Sequence, residues 1–485
     1  MSVLELIIAL PLLAALAIWL GAPVRAASIG ATLINLILVF VTTIQYAGKT
    51  GLAFTQSRTI LENPSLSFAV GADGVSLILA LLTTLVMLAA VWQIQDRPAI
   101  FYIASLLIGG GALGAFLTTD VFFIYAFHEL ALIPTFLMIA LHGHADAARR
   151  KAIAWKATIY LGAGSLVLLA GLVWVVLEFS GGSKLTFDLE ALRAQAALTP
   201  LPVEKQAQIF FVLLLGFGSL VSLFPFHSWA APAYATAPTP VAMLHSGVLK
   251  KFGLYGLLRI AMPLLPQAVH VEWVQNALLL MLLGNILVMG LVTIHANRLD
   301  DTLANSSVMH MGYIFLGIAA GSEIALKGAV ILMFAHGVSI ALLFALCGRL
   351  RNQLGTLEYN KLGGLASHAP SFTVLFAFGA FASIGLPGLT NFAGEVMIFA
   401  GSFTNFKVGA LTNLHWTVFL ALWGVVMSAV YMLRAYRSIF HGNATTGLFM
   451  SDPAVSQRVP FILLATTLLV TGCCPWLLLN LMKAP

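Results

Sequence analysis

The sequence predicts an all-α polytopic membrane protein of about fourteen transmembrane helices. Three observations carry that prediction. Of 485 residues, 60% are hydrophobic and only 9% are charged, against about 25% charged in soluble globular proteins. The mean hydropathy is +0.98. Apolar runs recur from end to end, each with the roughly 18 or more residues that span a bilayer core of about 30 Å. A membrane β-barrel would instead show short alternating segments.

In order, the expected spans are 3–21, 27–47, 73–95, 98–117, 119–142, 155–179, 206–229, 237–262, 273–296, 302–322, 326–348, 370–403, 410–440 and 459–482. The first lacks the basic start of a signal peptide and carries Glu5. The longest polar stretch, 180–205, holds Leu185, Phe187, Leu189 and Leu192 between polar residues, which predicts a short surface helix. Lysine and arginine bias sets the orientation. With the N-terminus outside, the inner loops hold Arg25, Arg97, Arg149, Arg150, Lys151, Arg298, Arg349, Arg351, Lys361, Arg434, Arg437 and Arg458. The outer segments hold Lys49, Arg58, Lys184, Arg193, Lys205, Lys327, Lys407 and Lys483. Twelve against eight places both termini outside. The remaining bases, Lys156, Lys250, Lys251 and Arg259, fall within spans.

Two spans are interrupted. Pro225 lies within SLFPFHSW, and Pro387 lies between Gly385 and Gly388 in SIGLPGLTNF. Proline removes a backbone donor and clashes one turn back. In lipid such breaks survive only where protein or water satisfies the freed groups. Paired broken helices in two halves point to an internal repeat around a transport path.

Charges also fall inside the spans: Glu129, Lys156, Lys250, Lys251 and Glu395. Each costs at least about 2.5–3.5 kcal/mol at a helix centre, so such groups pair or line a hydrated path. His227, His245, His310 and His336 lie in or beside the same spans. A row of titratable groups with water between them is a proton relay. Glu395, just after the Pro387 break, is expected beside water and not lipid.

Other chemistries find no support. Cys347, Cys473 and Cys474 form neither a disulfide framework nor a metal spacing. His142 and His144 lack a carboxylate or cysteine partner at helical spacing, so no metal site is expected. GGGALG at 109–114 matches G-x-G-x-x-G, but it lies in a span with no preceding strand and binds no dinucleotide. Gly110 and Gly114 read instead as a small-residue helix contact. No cofactor-binding motif is present, so a gradient or a partner drives any transport.

The motifs resemble the antiporter-like membrane subunits of complex I, which are similar to Mrp-type cation/proton antiporters. The stretches that carry the resemblance are ADGVSLILALLTTL (72–85), FHELALIPTFLMIALHGH (127–144), FPFHSWAAPAYATAPTPVAMLHSGVLKKFGLYGLLRI (224–260), SSVMHMGYIFLGIAAG (306–321), AHGVSIALLFALCGRL (335–350) and LPGLTNFAGEVMIFAGSF (386–403). Glu395, where other members typically carry lysine, resembles the subunit M or chain 4 type.

The resemblance implies helices 1–3 over 1–97, a first five-helix repeat over 98–262, an inverted second repeat over 263–440 and a last helix over 441–485. It implies that Glu129, Lys156, Lys251, His310, His336 and Glu395 relay protons. Lys250, His227, His245 and His128 are accessory or compensating groups, and Pro225, Pro387 and Gly388 are the helix breaks. NADH, FMN, iron–sulfur clusters and quinone are expected in partner subunits, with none in this chain. The expected partners are neighbouring antiporter-like subunits and lipid, in a bacterial inner membrane, with no nucleic acid. The sequence departs from the family pattern at Leu220, where a lysine paired with Glu129 is expected, and at LDDTLANSS (299–307), a loop less basic than usual. Lys250 either turns toward helix 7 and partly stands in for that lysine, or snorkels or pairs locally. The alternatives are an Mrp-like antiporter subunit and a structural membrane subunit that has lost pumping.

Overall fold

The computed structural model describes the chain except residues 181–184, 405, 407–409, 443–449 and 483–485. Lys184, Lys407 and Lys483, three of the bases assigned to outer segments, lie outside the described residues.

A helix leaves its first N–H groups without partners, and short acceptor side chains meet them. The order begins with α1 (Val3–Trp19), closed by a reciprocal Ser2–Glu5 capping box, and α2 (Val24–Tyr46). A hairpin follows, β1 (Ala53–Leu61) against β2 (Leu66–Ala72), antiparallel. Asp73 caps α3 (Gly74–Trp92). After α4 (Ala99–Leu117), Asp120 caps α5 (Val121–His142). Asp146 caps α6 (Ala147–Phe179). Asp188 caps α7 (Leu189–Leu198), the expected surface helix, which buries Leu189, Leu192 and Ala196.

Next come α8 (Val203–Val221), α9 (Ala230–Thr236) and α10 (239–264), the last of which passes through π-helical turns at His245–Leu249 and Leu257–Ala261. Then follow α11 (Glu272–His295), α12 (Leu299–Ala320), α13 (Glu323–Leu354), α14 (Pro370–Ile384), α15 (Thr390–Gly401), α16 (Asn413–Phe440), α17 (Val455–Cys473) and α18 (Trp476–Leu479). The LDDTL segment expected in a loop is the first turn of α12, where Asp300 and Asp301 favour the positive helix end.

Among the described residues, eleven helices are long and apolar enough to cross a membrane. The other three expected spans correspond to the shorter α1, to α10, and to the α14–α15 pair. The apolar window of α13 is 100% buried, whereas that of α17 is 33% buried. This makes α13 the axis of the bundle and leaves outer helices such as α2, α5 and α16 to face lipid or neighbours.

Missing side chains set the closest contacts. A Cβ on Gly247 of α10 would meet the Gly337 carbonyl oxygen at 3.0 Å, and one on Gly337 of α13 would meet the Gly247 oxygen at 2.6 Å. The backbones of α10 and α13 therefore touch. The glycine-rich stretch of α4 serves two neighbours: Gly110 faces Leu12 of α1, and Gly114 faces the Phe127 ring of α5.

Both expected helix breaks are present and share one geometry. At the end of α8, Ser222 is left-handed (φ 70°); Leu223 N–H bonds Gly218 O at 2.8 Å, and Ser222 N–H bonds Ser219 O at 3.2 Å. At the end of α14, Gly385 is left-handed (φ 82°); Leu386 N–H bonds Phe381 O at 3.1 Å, and Gly385 N–H bonds Ala382 O at 3.1 Å. This paired closure satisfies the last carbonyls of each helix. Asn285, wholly buried on α11, secures the first break from outside. Its Oδ1 accepts from Phe224 N–H at 2.7 Å, and its Nδ2 donates to Ser222 O and Val308 O at 3.0 Å each.

Asn285→Leu leaves those buried backbone groups unmet, at about 1–3 kcal/mol each. The variant is expected to unfold at a clearly lower temperature in a thermal scan of the purified protein. An unchanged midpoint would show that Asn285 does not hold the break.

Candidate functional site

The widened turns of α10 place two adjacent lysines inside the protein. In a regular helix Lys250 N–H would bond Ser246 O. Here it bonds His245 O at 3.1 Å, and Ser246 O accepts from the Lys251 ammonium at 2.7 Å. Lys251 is fully buried and its Nζ lies 2.9 Å from His336 Nδ1 on α13. The Gly247–Gly337 contact brings these side chains together, because Gly337 follows His336 and Gly247 precedes Lys251 by one turn.

The row continues across α13 to α12 and α14. The rings of His336 and His310 lie 5.7 Å apart, tilted by 46°. His310 has Nδ1 2.8 Å from Ser306 O and Nε2 2.9 Å from Ser383 O. A neutral imidazole has one N–H, so it donates to only one of these carbonyls; a second proton completes both bonds. Ser383 lies in the last turn of α14, and the next glycine, Gly385, packs against the Glu395 carboxylate of α15. Glu395 is 4% exposed and enclosed by protein. Ser306 Oγ also lies 2.9 Å from the Tyr431 hydroxyl on α16. Thus Lys251, His336, His310 and Glu395 form one line through the second half of the molecule. Pro387 and Gly388 occupy the turn between α14 and α15.

The first half is arranged differently. Glu129 on α5 accepts a short hydrogen bond from the Ser165 hydroxyl of α6, and that hydroxyl lies 3.0 Å from the Tyr125 hydroxyl. His128 Nδ1 approaches Glu129 at 3.4 Å. The His128 ring stacks on Phe252 of α10 at 3.9 Å, so it bridges Glu129 to the residue after Lys251. The Glu129 side chain remains 36% exposed. Leu220 is buried in the core, and a hydroxyl and an imidazole surround the carboxylate where a lysine was expected.

Two expectations are corrected. Lys156 is exposed and does not join the central line; its ammonium lies 6.0 Å from the Tyr160 ring. The helical period explains why: α6 turns Ala154, Ala157, Leu161 and Ser165 inward, while Trp155 and Ile159 face out with Lys156. Lys250 does not act as a substitute beside Leu220. It is 1% exposed and turns to α12, where its Nζ donates to Ser307 O at 3.0 Å and lies 5.3 Å from the Tyr234 ring. The roughly 100° between adjacent helical residues sends the two lysines to different helices.

The remaining histidines flank the first break. His227 stacks on Phe224 at 5.0 Å, just beyond Pro225. His245 is buried against the rings of Trp229 and Tyr234, at 5.5 and 5.2 Å. Among the described residues neither Lys250 nor Lys251 forms an ion pair with a carboxylate, and no cluster with metal-ligand geometry occurs.

Several contributors were missed by the sequence reading. Asn285 carried a signal, as a lone amide in LLGNILV. Ser165, Ser307 and Tyr234 carried none, because their importance comes from helices distant in sequence. Arg259 was placed only within a span; it pairs with Asp73 at 2.5 Å and Glu190 at 3.7 Å, tying α10 to the start of α3 and to α7.

A polytopic helical bundle with two matched helix breaks and a buried lysine–histidine–carboxylate line defines a membrane transport subunit. The chain belongs to the NADH:quinone oxidoreductase/Mrp antiporter transmembrane family, whose model matches residues 118–423. It is 34% identical to NAD(P)H-quinone oxidoreductase chain 4 2 of Microcystis aeruginosa over 457 residues, 91% of this chain and 80% of that protein. It is also 34% identical to chain 4-2 of Synechocystis sp., over 91% of this chain and 78% of that one. A chain of respiratory complex I from Thermus thermophilus superposes with a TM-score of 0.89 at 28% identity, covering 99% of this chain and 97% of that chain. A chain of the Mrp complex from Dietzia sp. superposes at 0.84 with 20% identity over 99% and 95% of the two chains, a likeness of fold.

Gly385 supplies a test of the second break. Its left-handed φ disfavours any side chain by about 1–2 kcal/mol, and a Cβ there would sit 2.4 Å from Glu395 Oε2. Gly385→Ala is expected to lower thermal stability by that order and to displace the Glu395 carboxylate in a structure of the variant. An unmoved carboxylate would show that the break and Glu395 are not mechanically linked.

Proposed function

We propose that this chain is a proton-translocating membrane-arm subunit of a respiratory complex I or a close relative. It contributes the proton path and no redox centre to a proton-translocating NADH:quinone oxidoreductase. The single observation that carries this reading is the line from Lys251 through His336 and His310 to the break beside Glu395. Its members are buried and titratable, and Lys251, His336 and His310 are spaced for direct or one-water transfer.

In this mechanism Lys251 donates to His336 Nδ1 across 2.9 Å. His336 Nε2 has no protein partner among the described residues and releases toward His310, whose ring lies 5.7 Å away, through a bridging water. His310 stores the proton between the Ser306 and Ser383 carbonyls. Release toward Glu395 crosses the α14–α15 break. Lys250, whose Nζ lies 3.4 Å from the Ser307 hydroxyl of α12, is an accessory group beside the line. Glu129, half-exposed at the flank, is the acid that senses a neighbouring subunit, with His128 relaying its state toward α10. His227 and His245 act as accessory groups near the first break.

Electrons enter and leave in partner subunits, where NADH, FMN, iron–sulfur clusters and quinone belong. The chain sits in a bacterial inner membrane with both termini outside, as the basic-residue bias supports. Chain 4 naming among its relatives supports this assignment over an Mrp-like antiporter subunit. The structural-subunit alternative rests on Leu220, and flux measurements decide it.

Lys251→Met in the intact assembly, reconstituted in vesicles, is expected to lower the ratio of protons moved to electrons transferred while the purified assembly keeps its subunits. Loss of a proton-transferring group typically slows the step by about 10²–10⁴-fold. An unchanged ratio would sink the relay.

Glu129→Gln keeps size and removes the charge. It is expected to reduce the coupled ratio, with the Ser165 contact retained. Wild-type stoichiometry from the assembled variant would show that Glu129 has no coupling role.

A further inference from the structure

One rim of the bundle holds an open cavity of about 500 Å³, bounded by the ends of α3, α5, α10, α13 and α17. It is separate from the buried line. Arg97, Arg349, His142 and His144 line it, with Asn352 and Gln353 adding amide donors. No Asp or Glu is among its described lining residues.

The cationic groups are largely uncommitted. Arg97 faces the Phe101 ring at 5.6 Å, and His142 covers the same ring at 5.0 Å. Arg349 donates to Gln457 Oε1 at 3.0 Å and Ser451 O at 3.4 Å, and its Nε has no partner among the described residues. Of the nearby carboxylates, Asp96 lines an adjoining recess with Arg25 and Arg97 but forms no ion pair there among the described residues, and Asp452 accepts from the Ser371 and Phe372 N–H groups at 3.2 and 3.0 Å. Two guanidinium groups share this lining, and neither forms an ion pair among the described residues, although Asp452 lies near enough to Arg349 to act on its charge; together they match a phosphate group by charge and by fork geometry. The rim is the one that the arginine bias assigns to the inside, where anionic headgroups gather around basic pockets between helices.

We infer that this cavity binds a phosphate group, either the diester of an anionic lipid headgroup or free phosphate, held between Arg97 and Arg349. The apolar Trp92, Phe101 and Phe461 in its lining suit a ligand with a hydrocarbon portion, and the cavity exceeds a single inorganic phosphate.

The test uses the intact assembly and an Arg97→Gln/Arg349→Gln variant, with Arg149→Gln/Lys151→Gln as a charge-matched control on the exposed start of α6. Each is equilibrated with phosphatidylglycerol and weighed by native mass spectrometry. The expected result is one fewer retained phosphatidylglycerol per copy of this chain in the double variant, and no change in the control. In a parallel arm, inorganic phosphate is titrated against chloride at constant ionic strength. Thermal stabilisation by phosphate that the double variant loses, with unchanged lipid retention, assigns the site to free phosphate. Equal lipid retention and equal phosphate response in the double variant and the wild type overturn the proposal. Should the double variant fail to assemble, Arg97→Gln alone gives the same comparison, because Arg97 is exposed and makes no hydrogen bond or ion pair among the described residues.

Discussion

Two lysine ammonium groups sit wholly inside this bundle with no carboxylate paired to them among the described residues, and much of the architecture follows from accommodating them. A charge taken from water into protein needs hydrogen-bonding partners or it is strongly disfavoured. Here the partners are carbonyls, a hydroxyl and an imidazole. The π-helical turn before Lys250 alters which carbonyl its own N–H meets, and Ser246 O takes the Lys251 ammonium. The bare backbones at Gly247 and Gly337 let α13 come close enough to offer His336. A counter-ion would hold such a lysine charged; neutral partners leave it able to lose and regain a proton.

The two helix breaks show the same solution met twice with different supports. Each ends a helix on a left-handed residue with the same pair of backbone hydrogen bonds. At the first, a dedicated amide, Asn285, fixes the freed groups. At the second, the freed Ser383 carbonyl meets His310, a titratable ring. The first break is thus bonded to a group that does not titrate under ordinary conditions, and the second to one that does. A change of protonation on His310 alters its bonding to the second break, so the line and the break are coupled in the second half.

The membrane class, the spans, both breaks and the central members of the line were legible because hydrocarbon imposes strong rules. Long apolar runs, proline inside them and charges inside them are rare enough to stand out. The β-hairpin escaped because its strands are short and only partly apolar, although Asn63 and Pro64 between two β-prone stretches marked a turn. Lys156 was misplaced because membership of a span was read as burial, while the stripe of small residues on α6 already pointed the other way. The partners of Lys250 and Glu129 were not readable, since Ser307 lies 57 residues from Lys250 and Ser165 lies 36 from Glu129. Nothing in either local pattern marks those serines.

Leu220 changes the meaning of Glu129. The family resemblance leads one to expect a lysine at that position as the ion-pair partner of this carboxylate. The side chain that replaces it is apolar and packed in the core, and among the described residues Glu129 is restrained by a serine hydroxyl and a histidine that is itself stacked on Phe252. Its side chain keeps more than a third of its surface open on a helix that faces the edge of the bundle. The carboxylate is therefore more accessible to charge from a neighbouring subunit than one locked in an internal pair. Meanwhile Lys250 adds positive charge near α12, on the side of the second break. In the mechanism proposed above, the charge missing from the first half and the charge added at the middle shift the weight of the titratable machinery toward the Lys251–His336–His310–Glu395 line, with the first half sensing a neighbour and the second half moving the proton.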